Sequence, residues 1–217
     1  MDKLVGGLHG AHLRSDVVNQ LGVYGARRAL RTGRLRPTWP RVLVEAARST
    51  ALHTRAGAAR LAFPTGVIAG PTATQLHGLD AMTTPRTHVL LPYENYARPT
   101  NGLVVHNGRI RDEEIDEVDG LRVLRLDRAL ADLLCRAAPR DALAVTDQAL
   151  ARVHDEDRQR LRSAIGRRID ARADPRGTVR GRELLALATV RRVDRPIHLG
   201  MWKAVLDQQQ VEPALRW

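Results

Sequence analysis

Apolar positions recur at helical spacing along most of the chain, and short β-branched runs interrupt them. Residues 14–21 set Val17, Val18 and Leu21 on one face, with Ser15 or Asp16 able to cap the start. Gly22 breaks that period. Residues 23–32 predict a second helix, with Val23, Ala26 and Leu30 inward and Arg27, Arg28 and Arg31 outward. Gly33 is placed to end it in a left-handed conformation. The following LRPTWPRVLV brackets Trp39 with prolines ahead of a β-branched run, which predicts a two-stranded hairpin. Helix, turn, arginine-bearing helix and basic hairpin is the layout of a winged helix-turn-helix.

Further on, residues 45–62 predict one helix, with Gly57 as the point where it would break. The cluster Phe63-Pro64-Thr65-Gly66 marks a domain edge. Strands are predicted at 66–68, 87–91, 103–106 and 121–124, with a helix from Pro71 to Leu76 stopped at Gly78. Residues 127–137 are amphipathic, with Leu126, Leu130, Leu133 and Leu134 on one face and Arg128 and Asp132 at i,i+4 on the other. Helices follow at 139–153, 156–169, 176–190 and 196–209. The expected fold is α+β, an N-terminal winged helix-turn-helix followed by an α+β domain and a helical tail. The expected divisions are 1–64, 65–155 and 156–217.

Composition narrows the function. The chain has 217 residues, 43% of them hydrophobic, too many for a disordered protein. Its only cysteine, Cys135, excludes a disulfide scaffold or a multi-cysteine metal site and reads as a small buried hydrophobe. No apolar run approaches the roughly 20 residues of a membrane helix, and the start has no secretory apolar core. A cytoplasmic location with no membrane partner is expected.

The net charge is +11, and only Lys3 and Lys203 of the 35 basic residues are lysines. Such arginine use can reflect genome composition, but the distribution of acids cannot. Residues 1–64 hold eleven basic residues against Asp2, Asp16 and Glu45, a net +8, which leaves +3 for the rest. A segment of that kind is the electrostatic footprint of a nucleic-acid binder. Aromatics at 3% argue against a base-stacking single-strand binder and leave a duplex-DNA or acidic-partner binder open. Arg27, Arg28 and Arg31 would reach phosphates and base edges, with Tyr24 near the helix start. Arg34, Arg36 and Arg41 on the wing would contact phosphates or the minor groove, and Trp39 would anchor the wing.

The order of these segments resembles the AbiEi family of abortive-infection antitoxins in its actinobacterial form. The resemblance runs over residues 14–153. It begins at Arg14-Ser15-Asp16-Val17 and continues through Val23-Tyr24-Gly25-Ala26-Arg27-Arg28-Ala29-Leu30-Arg31-Thr32-Gly33-Arg34. The family's Gly-Val-Tyr wing ending is replaced here by Arg41-Val42-Leu43-Val44. It resumes at Thr72-Ala73-Thr74-Gln75-Leu76-His77-Gly78-Leu79, at Thr87-His88-Val89-Leu90-Leu91-Pro92 and at Gly102-Leu103-Val104-Val105-His106. It closes at Gly120-Leu121-Arg122-Val123 and Asp127-Arg128-Ala129-Leu130-Ala131-Asp132-Leu133-Leu134. The resemblance implies a repressor of its own operon that neutralises a nucleotidyltransferase-like toxin in a type IV toxin–antitoxin pair. It also implies a fold-defining role for Arg128 and Asp132. Residues 195–213 resemble a degraded copy of the very-short-patch-repair nuclease domain that relatives carry, with His198 where that domain has an acid.

No catalytic constellation, cofactor motif or metal site is read from the chain. His9 and His12 have metal-ligand spacing but no third or fourth ligand, and their glycine-rich segment reads as a flexible tail. His77, His88 and His106 read as structural. The acidic run 112–119 reads as a solvated turn, or as a patch facing a basic toxin. Two alternatives stand beside the antitoxin: a short-patch-repair-like DNA endonuclease, and a DNA-binding regulator without a toxin. A palindromic operator would imply a homodimer on DNA.

Overall fold

The described residues of the computed structural model are Leu4, 6–95, Ala97 and 100–189. Among them the chain is α+β, with seven α-helices and two sheets. It opens with β1 (Ala11–Leu13), α1 (Arg14–Arg31), β2 (Leu35–Pro37) and β3 (Val42–Glu45). Inside α1, Gly22 has φ 67° and ψ 168°. A residue with a Cβ is strained there, so the glycine divides α1 into two helical segments. Gly33, at φ 70°, lies just beyond its end. β1 and β2 each pair antiparallel with β3, giving the order β1-β3-β2. Val17, Ala26 and Ala29 of α1 close over Leu35 and Leu43 in a small core.

The segment expected to be a tail is β1 and its approach. Gly10 is buried, and His12 is a buried residue of β1 whose ring lies 3.3 Å from the Glu45 carboxylate.

A short 3-10 turn, Ala46–Arg48, precedes α2 (Leu52–Ala62). The helix starts later than the periodicity predicts. The Ser49 hydroxyl donates to the Ala46 carbonyl at 2.9 Å, a local bond that competes with helix continuation. Gly57 does not break α2. It lies where an added Cβ would collide with the Leu8 carbonyl, so its missing side chain allows a close backbone approach.

The second sheet is built from β4 (Val67–Ile68), β5 (Thr87–Leu91), β6 (Leu103–Asn107), β7 (Ile115–Val118) and β8 (Leu121–Leu124), in the order β6-β5-β4-β8-β7. The pairs β5/β6 and β4/β8 are parallel, and β4/β5 and β7/β8 are antiparallel. α3 (Gly70–Leu76) follows β4. The acidic run is no simple turn. Asp112–Glu114 is a 3-10 turn and Ile115–Val118 is the edge strand β7. Asp119 (φ 51°) and Gly120 (φ 76°) make the left-handed turn of the β7–β8 hairpin. Acids on an edge strand discourage pairing with another chain, and they hide the strand from a search for apolar alternation.

The described chain forms two compact units, one reaching to His77 and resuming over Thr83–Ala129, the other Gly78–Met82 with residues 130–189. Pro64 therefore falls inside the first unit. Its breaker cluster is a tight turn, in which the Gly66 N–H donates to the Phe63 carbonyl at 2.9 Å. Ala11, Trp39, Val42 and Val44 share one core with Ala56, Ala59, Val67, Val89 and Val123.

The division between units falls within α4 (Leu126–Arg136). The second unit packs α5 (Pro139–Arg152), α6 (Asp155–Asp170) and α7 (Thr178–Leu187) through residues such as Leu150, Ile165 and Leu184. The expected division at 155/156 lies inside it. The Gln148 amide oxygen accepts the backbone N–H groups of Asp80 and Ala81 at 3.0 and 2.9 Å, which ties that loop to α5. The helix expected at 196–209 and the nuclease-like segment lie outside the described residues.

Gly22→Ala should lower the unfolding free energy by about 1–3 kcal/mol. Nothing lies within 4 Å of the added Cβ, so the loss, read by denaturant unfolding, measures backbone strain alone. An unchanged midpoint would mean that the break between the two segments is not strained for alanine.

Candidate nucleic-acid interface

The second segment of α1 follows Gly22 and turns Ala26 and Ala29 into the core. At 100° per residue, positions 23, 24, 27, 28 and 31 then fall within an arc of about 140° on the opposite side. All five are exposed: Val23, Tyr24, Arg27, Arg28 and Arg31. Val23 departs from its expected inward position, being 51% exposed, and Tyr24 is 87% exposed. The buried arc of this segment is centred on Ala26 and Ala29, and Val23, about 120° round the helix from Ala29, stands at its edge.

The hairpin supplies three more exposed arginines. Arg34 precedes β2, Arg36 lies on it, and Arg41 closes the β2–β3 turn with φ 66°. That turn is held from both sides. The Arg14 N–H donates to the Arg41 carbonyl at 2.8 Å, and the Trp39 indole, 7% exposed, donates to the Asn101 carbonyl at 3.4 Å. The anchoring role expected of Trp39 is what its burial and this bond provide.

Partners distinguish these arginines from the others. Among the described residues, Arg27, Arg28, Arg31, Arg36 and Arg41 have no carboxylate within ion-pair distance. In the second unit Arg136 and Arg176 pair with Asp174, Arg158 with Asp155, Arg160 with Asp157, Arg172 with Asp132 and Arg182 with Asp170. Glu45, one of the three acids of the basic segment, faces His12. Five guanidinium groups are thus held at the surface with their charge uncompensated, which suits a polyanion.

The remaining candidate groups are structural in their surroundings. His77 is buried and its Nε2 lies 2.8 Å from the Leu124 carbonyl, and burial pushes its pKa down. His88 and His106 stack across the parallel β5/β6 pair, with Nδ1 and Nε2 3.1 Å apart. Burial, the second imidazole and Arg86 together hold His88 down at about 4. Cys135 is buried, and burial raises its thiol pKa. Arg128 donates to the buried Glu114 at 2.8 Å, and Asp132 accepts from Arg172. His9 lies 2.7 Å from the Asp119 carbonyl and against the His53 ring. No group of three or more His, Cys, Asp or Glu side chains among the described residues could hold a metal ion. No helix among them is long and apolar enough to cross a membrane.

The geometry defines an α+β protein with an arginine-bearing helix and hairpin at its surface. No family model and no curated protein matches the chain. Among solved structures, the crystal structure of the RV2827C protein from Mycobacterium tuberculosis is similar, with a TM-score of 0.51 at 19% identity. The likeness covers 84% of this chain and 78% of that one. At such identity it shows the α+β fold and nothing about activity.

The His88 value carries a pH prediction. Its pKa is about 4 in the folded chain against an ordinary 6.5, so the unfolded chain takes up the proton first as pH falls. The stability that neutral His88 supplies is full above about pH 6.5 and is lost down to about pH 4. Thermal unfolding across this range should show a decline that His88→Gln flattens. The same slope in both proteins would remove His88 as its source.

Proposed function

We propose that this protein is a duplex-DNA-binding transcriptional repressor that acts as the antitoxin of a type IV toxin–antitoxin pair. The observation that carries the DNA reading is the exposed stripe of Arg27, Arg28 and Arg31, beside Arg34, Arg36 and Arg41 of the hairpin. The order strand, helix, Gly22 break, helix, hairpin, with the sheet order β1-β3-β2, supports a winged helix-turn-helix. In that arrangement the second segment of α1 enters the major groove and the hairpin lies along the backbone. Arg27, Arg28 and Arg31 contact phosphates and base edges, Tyr24 sits beside them, and the wing arginines contact phosphates. Two copies of the chain occupy a palindromic operator.

The antitoxin role rests on the resemblance to the AbiEi family over residues 14–153. The partner on that reading is a toxin of the nucleotidyltransferase fold, and the protein needs no cofactor and performs no catalysis. Arg128 and Asp132 serve the fold, which suits their bonds to Glu114 and Arg172.

Gel-shift against the promoter of its own operon tests the repressor. Six arginines on six phosphates give a slope of log K against log salt of about −5, so affinity should fall roughly a thousandfold between 50 and 200 mM salt. Arg28→Ala should make that slope shallower by about one. Charge reversal at Arg27 and Arg28 should abolish the shift while circular dichroism and the melting temperature stay unchanged. Salt-independent binding, or none, would remove the repressor.

Co-expression tests the antitoxin. A neighbouring reading frame encoding a nucleotidyltransferase should arrest growth alone and not together with this chain. Arrest that persists in the pair would leave a DNA-binding regulator without a toxin.

A further inference from the structure

Two hydrophobic side chains on the arginine stripe stand exposed outside the core. Val23 is 51% exposed and Tyr24 87% exposed, although Ala26 and Ala29 on the same helical segment are 5% exposed. A single exposed apolar residue needs no explanation. Here two stand side by side, at the start of the segment, within the same arc as Arg27, Arg28 and Arg31. Neither belongs to the core that the segment closes. An exposed pair at the start of the stripe, with Arg27 and Arg28 on the next turn, suits a surface that carries both phosphates and apolar groups.

The major groove of duplex DNA is such a surface. Its walls are phosphates, and its floor carries one strongly apolar feature, the C5-methyl group of thymine. Phosphate contacts position a protein without carrying sequence information. Side chains near the start of a recognition helix are those that reach base edges in helix-turn-helix docking. Resting on the DNA reading above, we propose that Val23 and Tyr24 are specificity-determining residues that pack against thymine methyl groups. The neighbouring arginines supply affinity, and this pair supplies the preference for thymine at the positions below it.

The test uses the full-length protein and a duplex selected by it from a randomised pool. The selected duplex is compared with a copy in which every thymine of the site is 2′-deoxyuridine, which deletes the methyl groups and keeps every phosphate. The wild-type protein should bind the uridine copy more weakly, by about fourfold for each methyl it covers. Val23→Ala combined with Tyr24→Ala should bring the two affinities together while binding stays salt-sensitive. Arg27→Ala should weaken binding to both duplexes by the same factor and leave their ratio intact. Equal wild-type affinity for the two duplexes, or a ratio that survives the double substitution, would overturn the thymine readout and leave the DNA reading standing. Failure to retain any duplex would overturn both.

Discussion

The packing of α2 between two sheets is the constraint on which the rest of the first unit depends. Ala56, Gly57, Ala58 and Ala59 are consecutive and all buried. A helix buried on successive positions has neighbours on more than one side, and α2 contacts β1 and β3 as well as β4, β5 and β8. Only small side chains let a helix approach two sheets at once. The bond from the Thr54 hydroxyl to the His9 carbonyl, at 2.6 Å, fixes the segment leading into β1 against the same helix. Where β1 sits decides where β3 and β2 sit, and so where the hairpin arginines emerge.

Charge is organised by the same division of labour. Among the described residues of the second unit, Arg136, Arg152, Arg158, Arg160, Arg172, Arg176 and Arg182 each pair with an aspartate. Arg27, Arg28, Arg31, Arg36 and Arg41 lack such partners among the described residues, in a segment that holds almost no acids. Exposed ion pairs contribute little to stability. Leaving these arginines unpaired therefore costs the fold little and keeps their charge for a ligand. The same economy explains the acids on β7: Glu114 is buried against Arg128, while Asp116 and Glu117 line an edge strand that must not recruit another chain.

Local rules carried most of the element pattern. The glycine break at 22, the end of the helix near Gly33, the hairpin around Trp39 and the strands at 87–91 and 121–124 all lie where periodicity and turn residues put them. The arginine stripe was legible for the same reason, since the outward positions follow once Ala26 and Leu30 are set inward. β7 was not legible, because Ile115 and Val118 with two acids between them make no strand alternation. The exposure of Val23 does not follow from apolar spacing, because it stands at the edge of the face that Ala26 and Ala29 bury.

By itself, the sequence determined most of the elements and their order, though not β1 or β7, and the concentration of positive charge in the first third of the chain. Those properties come from φ preferences, apolar spacing and counts of residues, all set within a few positions. The tertiary structure decided that Pro64 is a turn inside one core, that loop 78–82 belongs with α5 to α7, and that Val23 and Tyr24 face outward beside the arginines. Burial is a relation between segments distant in sequence, so it follows only when α2 has found both of its sheets.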